Sequence, residues 1–200
     1  MNDALPTIQG VGGVLLAAGR SERFGGAKLH ALLPGMPSGG ITVGIASCRA
    51  LLAALRRVIV VVRPGDAALA DLVTREGARV VVAERADDGI GSSLAAGIAA
   101  STSEHGYVVA LADMPWIAPA TIRLVAQAIV DGASIAAPAH RGLRGHPVAF
   151  SSKHRDALLA LRGDEGARSI VEAHRDNLVL IDVDDAGVLD DIDTPNDLQR

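Results

Sequence analysis

Apolar residues in this chain fall into short runs separated by stretches with helical spacing. Val14–Ala17, Val58–Val62, Ala78–Val82, Tyr107–Leu111 and Ser134–Ala137 are of strand length and rich in aliphatic residues. Runs this short and this continuous read as strands buried on both faces. Between them, Thr42–Leu55 carries Ala, Ile and Leu at helical spacing, and Asp66 is placed to cap a helix reaching about Glu76. Ser92 or Ser93 is placed to cap a helix through Ala100. Pro119–Val130 has its proline near the start, where the missing N–H costs nothing. Arg63-Pro64-Gly65 stops the second strand, and Ala83–Gly91 reads as a polar loop.

This alternation predicts a single Rossmann-like, three-layer α/β/α domain around a mostly parallel sheet. Ligands of such sheets bind at the carboxyl ends of the strands. The loops after the first, third and fourth strands are therefore expected on one rim, and they are the three most unusual loops in the chain. Beyond them the pattern weakens. Pro138–Gly145 is irregular, Pro147–Phe150 reads as a short strand and Asp156–Leu161 as a short helix. Gly163–Arg168 reads as a charged turn, Ser169–His174 as helical, Leu178–Val183 as a last strand, and Asp190–Pro195 as the lead into a final helical turn. Pro34–Gly40, rich in Gly and Pro, predicts a mobile loop. The chain shows no internal repeat or linker.

Composition narrows the function classes. Apolar residues are 49% of the 200 and aromatics only 2%, so the core must be aliphatic. A net charge of -4 argues against nucleic acid as a partner, and so does the scarcity of rings for base stacking. Cys48, the one cysteine, excludes an internal disulfide framework and a Cys-based zinc cluster. It lies in a small apolar helical stretch and reads as an inert buried thiol. Met1–Gln9 has Asp3 and no basic segment, so it does not read as a signal peptide. No apolar run reaches membrane-spanning length. A cytoplasmic protein is the expectation.

The chemistry concentrates in Leu16-Ala17-Ala18-Gly19-Arg20-Ser21-Glu22-Arg23-Phe24-Gly25-Gly26-Ala27-Lys28. A glycine-rich loop leaving a strand, with Arg20, Arg23 and Lys28 on it, suits polyphosphate: backbone N–H groups approach closely and the cations balance charge. A flexible surface loop with solvated cations is the alternative. It is not a Walker A loop, and Gly10, Gly12 and Gly13 precede the predicted strand, the wrong place for a dinucleotide-binding motif. In Leu111-Ala112-Asp113-Met114-Pro115 a carboxylate follows the fourth strand, where it can hold Mg²⁺ against phosphates or cap a helix. Asp193, in Asp-Ile-Asp-Thr-Pro, offers a second metal contact or a helix cap. Gly89–Leu94 is a turn into a helix start with two hydroxyls, able to meet an anion, a base or a ribose, or simply to cap. It is no hydrolase elbow, because neither serine has glycine on both sides in the required pattern. Arg141-Gly142-Leu143-Arg144-Gly145-His146-Pro147-Val148 is a compact cationic segment in which arginine suits phosphate, and a lone histidine such as His146 is more often structural than functional. The remaining histidines show no zinc spacing.

The signature loop, Leu-x-Asp-Met-Pro and the Asp-Thr-Pro tail together resemble the small nucleotidyltransferases related to the molybdenum-cofactor cytidylyl- and guanylyltransferases. The resemblance spans most of the chain and implies a nucleotide-diphospho-sugar transferase type of fold. It implies a nucleotide-binding half at about 11–115 and an acceptor-side half at about 116–200. It further implies Leu16, Ala17, Ala18, Gly19, Arg20, Ser21, Ser92 and Ser93 at the nucleotide, and Arg23, Lys28 and Asp113 as catalytic. Asp113 and Asp193 would bind Mg²⁺, and Arg144, His146 and Arg168 the acceptor. The implied reaction is transfer of CMP from CTP to molybdenum-bearing molybdopterin, releasing pyrophosphate. GTP as donor, or a sugar or alditol phosphate as acceptor, is the alternative within the family. The product would pass to a maturation factor or a molybdenum hydroxylase apo-enzyme. Guanylyl-transferring relatives resemble Leu-Ala-Gly-Gly where this chain has Leu-Ala-Ala-Gly, which puts Ala18 at the choice of base. A dinucleotide-binding module and a non-catalytic cofactor carrier are the readings from other classes. His30–Gly40 departs from the Gly-x-Pro-Leu pattern expected there.

Overall fold

The valine- and alanine-rich runs meet in one sheet. The computed structural model describes residues 6–34 and 40–199; residues 35–39, most of the loop expected to be mobile, lie outside the described residues. The strands are β1 (Ile8–Ala17), β2 (Leu55–Val62), β3 (Arg79–Val82), β4 (Gly106–Leu111), β5 (Ile135–His140), β6 (Leu143–Arg144), β7 (Val148–Ser151) and β8 (Leu178–Asp182). They run in the order β3-β2-β1-β4-β7-β5, with β6 and β8 also paired to β5. β1 through β4 are parallel, with Leu15 beside Val60 on one flank and Ala110 on the other. β7 enters antiparallel between β4 and β5, and β8 runs parallel to β5. The sheet is thus mixed but mostly parallel, as the βαβ alternation requires.

Helices cover both faces. On one lie α1 (Val43–Ala54), α2 (Ala67–Arg75) and α4 (Pro119–Val130), packed with Leu15, Leu51, Val60, Ile122 and Val125 in an aliphatic core. On the other lie α3 (Ile90–Ala100), α5 (Arg155–Ala160) and α6 (Arg168–Ala173), over Val14, Val61, Leu94, Ile98 and Phe150. Neighbours along β1 therefore face opposite cores, and each fully buried side chain of this size contributes about 1.5–3 kcal/mol. Gly97 sets the depth of α3: a Cβ there would come within 2.6 Å of Val14 and 2.7 Å of Val61. The helix therefore lies hard against the sheet, which brings its amino end to the rim.

Several expectations are corrected. Gly10, Gly12 and Gly13 lie inside β1, not before it; they are kept small by His105 against Gly10, Ser101 against Gly12 and the Leu51–Leu55 pair against Gly13. The start of α3 is Gly89, not Ser92 or Ser93; neither serine makes a capping hydrogen bond, and both fall within the first turn. The irregular stretch after Pro138 is strand: β5 runs to His140, and β6 follows through a tight turn at Arg141-Gly142. Asp66 does cap α2, its carboxylate accepting from the Leu69 N–H at 3.1 Å. Among the described residues no helix is long and apolar enough to cross a membrane.

Candidate functional site

At the carboxyl end of β1 the chain leaves the sheet in a loop of tight turns. The carbonyl of Ser21 accepts from the N–H groups of both Phe24 and Gly26, and Gly25 and Gly26 take φ of 87° and 104°. These are conformations open to glycine at no steric cost. The loop then enters a single 3-10 turn, Lys28–His30, which buries Lys28 to 8% exposure. An ammonium so buried needs a carboxylate partner. Asp113, just beyond β4, supplies it: Lys28 Nζ lies 2.7 Å from Asp113 Oδ2 and 3.8 Å from Asp193 Oδ1. Arg23 reaches the other oxygen of Asp193 at 2.6 Å.

The tail is held there by backbone and side-chain bonds. The Ile192 N–H donates to the Asp113 carbonyl at 2.9 Å. Upstream, the Asp185 carboxylate accepts from the Ala118 N–H at 2.9 Å and from the Thr121 hydroxyl at 2.6 Å, tying the segment to the start of α4. Asp193 is not the helix cap: Asp197 accepts from the N–H groups of Asp193 and Thr194 instead. The carboxylate of Asp193 is thereby left to Arg23 and Lys28.

These loops enclose a cleft of about 560 Å³. Leu16, Ala17, Ala18, Gly19, Arg20, Ser21, Lys28, Ser93 and Asp113 all line it, so most of the predicted nucleotide residues share one surface. Arg23 and Asp193 do not line it and join it through Lys28. Ser92 does not line it either. Because α3 begins at Ile90, successive side chains turn by about 100°, and Ser92, its hydroxyl buried without a partner, is off the wall that Ser93 lines. Two acidic residues absent from the expectations also line the cleft, Asp87 and Asp164. Asp87 sits in a 3-10 turn, Ala86–Asp88, and holds both Arg20 (3.0 Å) and Arg63 (3.2 Å). The Asp87-Asp88 pair in the loop after the third strand was the available signal. Asp164 belongs to the turn whose Gly163 carbonyl accepts from the Gly91 N–H at 2.8 Å, covering the amino end of α3.

A second cavity of about 260 Å³ adjoins the first, sharing Leu16, Ile90 and Leu111. It collects Arg144, His146 and Arg168, residues from two separate segments, above an apolar wall that includes Val109, Val148 and Phe150. Between the Ala136–Ala149 and Ala139–Arg144 pairs, the strand opposite β5 carries extra residues, and Gly145–Pro147 is that excursion. It places His146 with its Nδ1 buried and unpartnered. Burial lowers the affinity of this imidazole for a proton, and the Arg144 guanidinium lowers it further, against the opposing pull of Asp113 and Asp191. Arg168 is exposed and paired with Glu172 one turn on, an interaction that solvent weakens.

Among the described residues no group of three or more His, Cys, Asp or Glu is arranged to hold a metal ion. Asp113 Oδ1 is nevertheless buried without a hydrogen-bond partner, and Asp193 stands across the same ammonium. Two carboxylates of this kind fit Mg²⁺, a hard cation that takes its other ligands from phosphates and water.

Comparison with known proteins agrees with this geometry. Residues 13–178 match the MobA-like NTP transferase domain. The chain is 33% identical over 196 residues to the purine catabolism protein PucB of Bacillus subtilis, covering 92% of each chain. It is 32% identical over 199 residues to the nicotine blue oxidoreductase of Paenarthrobacter nicotinovorans, covering 95% of each. The crystal structure of Rv0371c from Mycobacterium tuberculosis H37Rv superposes with a TM-score of 0.79 at 30% identity, over 97% of this chain and 98% of that one. The manganese complex of Rv0371c superposes at 0.76 with 28% identity, over 96% and 97%. By its signature loop, its rim carboxylate and the match across most of its length, the chain belongs to the MobA-like NTP transferase family and is a nucleotidyltransferase.

Proposed function

We propose that this nucleotidyltransferase transfers CMP from CTP to molybdenum-bearing molybdopterin, with Mg²⁺, giving the cytosine dinucleotide form and pyrophosphate. The observation that carries the reading is the Lys28–Asp113 pair at the mouth of the cleft, with Asp113 Oδ1 buried and unpartnered. The first cleft is lined by four carboxylates, Glu22, Asp87, Asp113 and Asp164, against the two cations Arg20 and Lys28. A triphosphate entering such a cleft must bring counter-charge. Asp113 and Asp193 are the residues to hold Mg²⁺, which when bound neutralises phosphate charge as a Lewis acid. A manganese-bound relative supports a divalent metal in this fold.

The reaction needs little from side chains beyond position and charge. A phosphate monoester has its second pKa near ~6 and is mostly dianionic at neutral pH, so no general base is required. An acceptor phosphate oxygen attacks the α-phosphorus, the bond from α-phosphorus to the bridging oxygen breaks, and pyrophosphate leaves with that oxygen. Lys28 and Arg23 balance the charge that gathers on the leaving group. The acceptor lies in the second cavity, its anionic end toward Arg144 and Arg168. A sugar or alditol phosphate would set hydroxyls against the aliphatic wall, and each unpaired one costs about 1–3 kcal/mol. The reaction would take place in the cytoplasm, with the product passing to an apo-enzyme or its maturation factor.

The test is pyrophosphate release from CTP in the presence of Mg²⁺ and molybdopterin carrying molybdenum, with the product identified by mass spectrometry. A cytosine dinucleotide is expected. Tight binding of both substrates without pyrophosphate release would make the chain a carrier, and reaction with an alditol phosphate alone would move the acceptor.

A further inference from the structure

Behind the signature loop, between it and the start of α2, lies another cleft, of about 400 Å³. It shares Arg20 and Lys28 with the first cleft and adds His30 and Arg63. Its charge balance is the reverse of its neighbour's. On its lining Arg20, Lys28 and Arg63 face a single carboxylate, Asp66, which is engaged by the His30 ring at 3.0 Å and the Leu69 N–H at 3.1 Å; from outside the lining, Lys28 is held by Asp113, and the two guanidinium groups share the carboxylate of Asp87. A metal-loaded triphosphate suits the acidic cleft; a bare polyanion suits the basic one. The two clefts meet along the signature loop, where Arg20 and Lys28 line both.

We propose that this basic cleft is the departure site of the pyrophosphate product, with Arg63 and His30 as its binding residues. The inference rests on the nucleotidyl transfer proposed above and adds residues outside the signature loop. When the bond from α-phosphorus to the bridging oxygen breaks, the leaving group carries that oxygen and its electron pair. Arg63 suits the task because its guanidinium presents several donors to phosphate oxygens, and its bond to Asp87 positions it at the junction of the loops.

Two measurements on the full chain decide it. Calorimetric titration with inorganic pyrophosphate in the absence of CTP should show binding to the wild type, weakened about tenfold in Arg63→Gln, as expected for one lost charge-assisted contact. His30→Gln should weaken it by less, and Arg63→Lys should recover part of the loss. In steady state, the inhibition constant of pyrophosphate should rise in Arg63→Gln far more than the KM for CTP. Wild-type affinity for pyrophosphate in both Arg63→Gln and His30→Gln would overturn the proposal. So would an inhibition constant and a KM that rise in step, since Arg63 would then serve the bound triphosphate. The pyrophosphate titration needs no acceptor. A chain that binds pyrophosphate through Arg63 yet transfers nothing from CTP would sink the proposed reaction and leave this site standing.

Discussion

Lys28 and Asp113 are 85 residues apart in sequence and meet at 2.7 Å, the ammonium buried and the second carboxylate oxygen without a partner. The pair joins the loop after β1 to the loop after β4, so it is a structural clasp as well as a charge centre. Removing Asp113 leaves the buried Lys28 ammonium with only Asp193, at 3.8 Å, and removing both relieves that imbalance. Asp113→Ala should therefore abolish measurable pyrophosphate release, a loss of at least about a hundredfold. It should lower the thermal midpoint while keeping a cooperative transition. Lys28→Ala should depress kcat more than the KM of the acceptor, because charge on the leaving group develops in the transition state. The double variant should be more stable than the sum of the two single losses implies. Near-normal turnover in Asp113→Ala would remove it from the metal site.

Arg144→Ala should weaken the acceptor by about tenfold, the worth of one charge-assisted contact, and leave titration with CTP and Mg²⁺ unaltered. Arg144 lines the smaller cavity and not the larger. The two cavities share an aliphatic partition of Leu16, Ile90 and Leu111, which carries no polar group to link the two sets of ligand contacts. A clear loss of CTP affinity would show that the partition does not separate two substrates.

The rim was legible in the sequence because each strand ends in a residue type that strands avoid. Gly19 follows β1 and Asp113 follows β4, and a parallel sheet puts both at one edge. Asp193 was visible as a carboxylate but not as the partner of Arg23, 170 residues away. Nothing local to either residue encodes that meeting; it depends on Asp185 docking to α4 and on the Ile192–Asp113 bond. The insertion of β7 between β4 and β5 was hidden for the same reason, since its pairing is decided by which edge is free. Gly12 and Gly13 misled because glycine usually punctuates. Here they are strand residues kept small by Ser101, Leu51 and Leu55, neighbours from distant segments. Ser92 and Ser93 misled by one turn of helix: either residue type caps well, and only the backbone shows that Gly89 already has.

Cys48 gives a pH-dependent handle that is independent of activity. It is fully buried in α1, and burial, aided by Glu76 and opposed by Arg49, pushes its thiol from 9.0 up to about 12. The folded state thus holds this proton more tightly than the unfolded one. The contribution is fully present below pH 9 and is lost as pH rises toward 12. Unfolding midpoints of wild type should fall over that window more steeply than those of Cys48→Ala. Thiol reagents at neutral pH should react only as fast as the chain opens. Rapid labelling of the native protein would contradict the burial.

The nucleotide should be CTP rather than GTP, and Ala18, the position proposed to decide it, lies in the cleft wall. Ala18 is 7% exposed, lines the larger cleft and packs into the core beneath α3. Its methyl group is therefore fixed from behind and cannot retreat from a ligand. If the base lies beside it, as proposed, it takes room that a two-ring purine needs more than a pyrimidine does. Ser93 lines the same cleft and is the residue proposed to meet the polar edge of the base, whereas Ser92 does not line it. One methyl group in such a pocket is worth about 1–3 kcal/mol, roughly 10–200-fold. The expected outcome is a clear preference for CTP at equal concentrations, relaxed but not inverted in Ala18→Gly. Ala18→Gly should also lose a little stability, since the core beneath it loses a methyl group and the loop gains freedom. The measurement is competition between CTP and GTP with Mg²⁺ and the molybdopterin acceptor, read as the ratio of cytosine to guanine dinucleotide. A guanine product that dominates in the wild type would remove Ala18 from the choice of base and leave the nucleotidyl transfer itself intact.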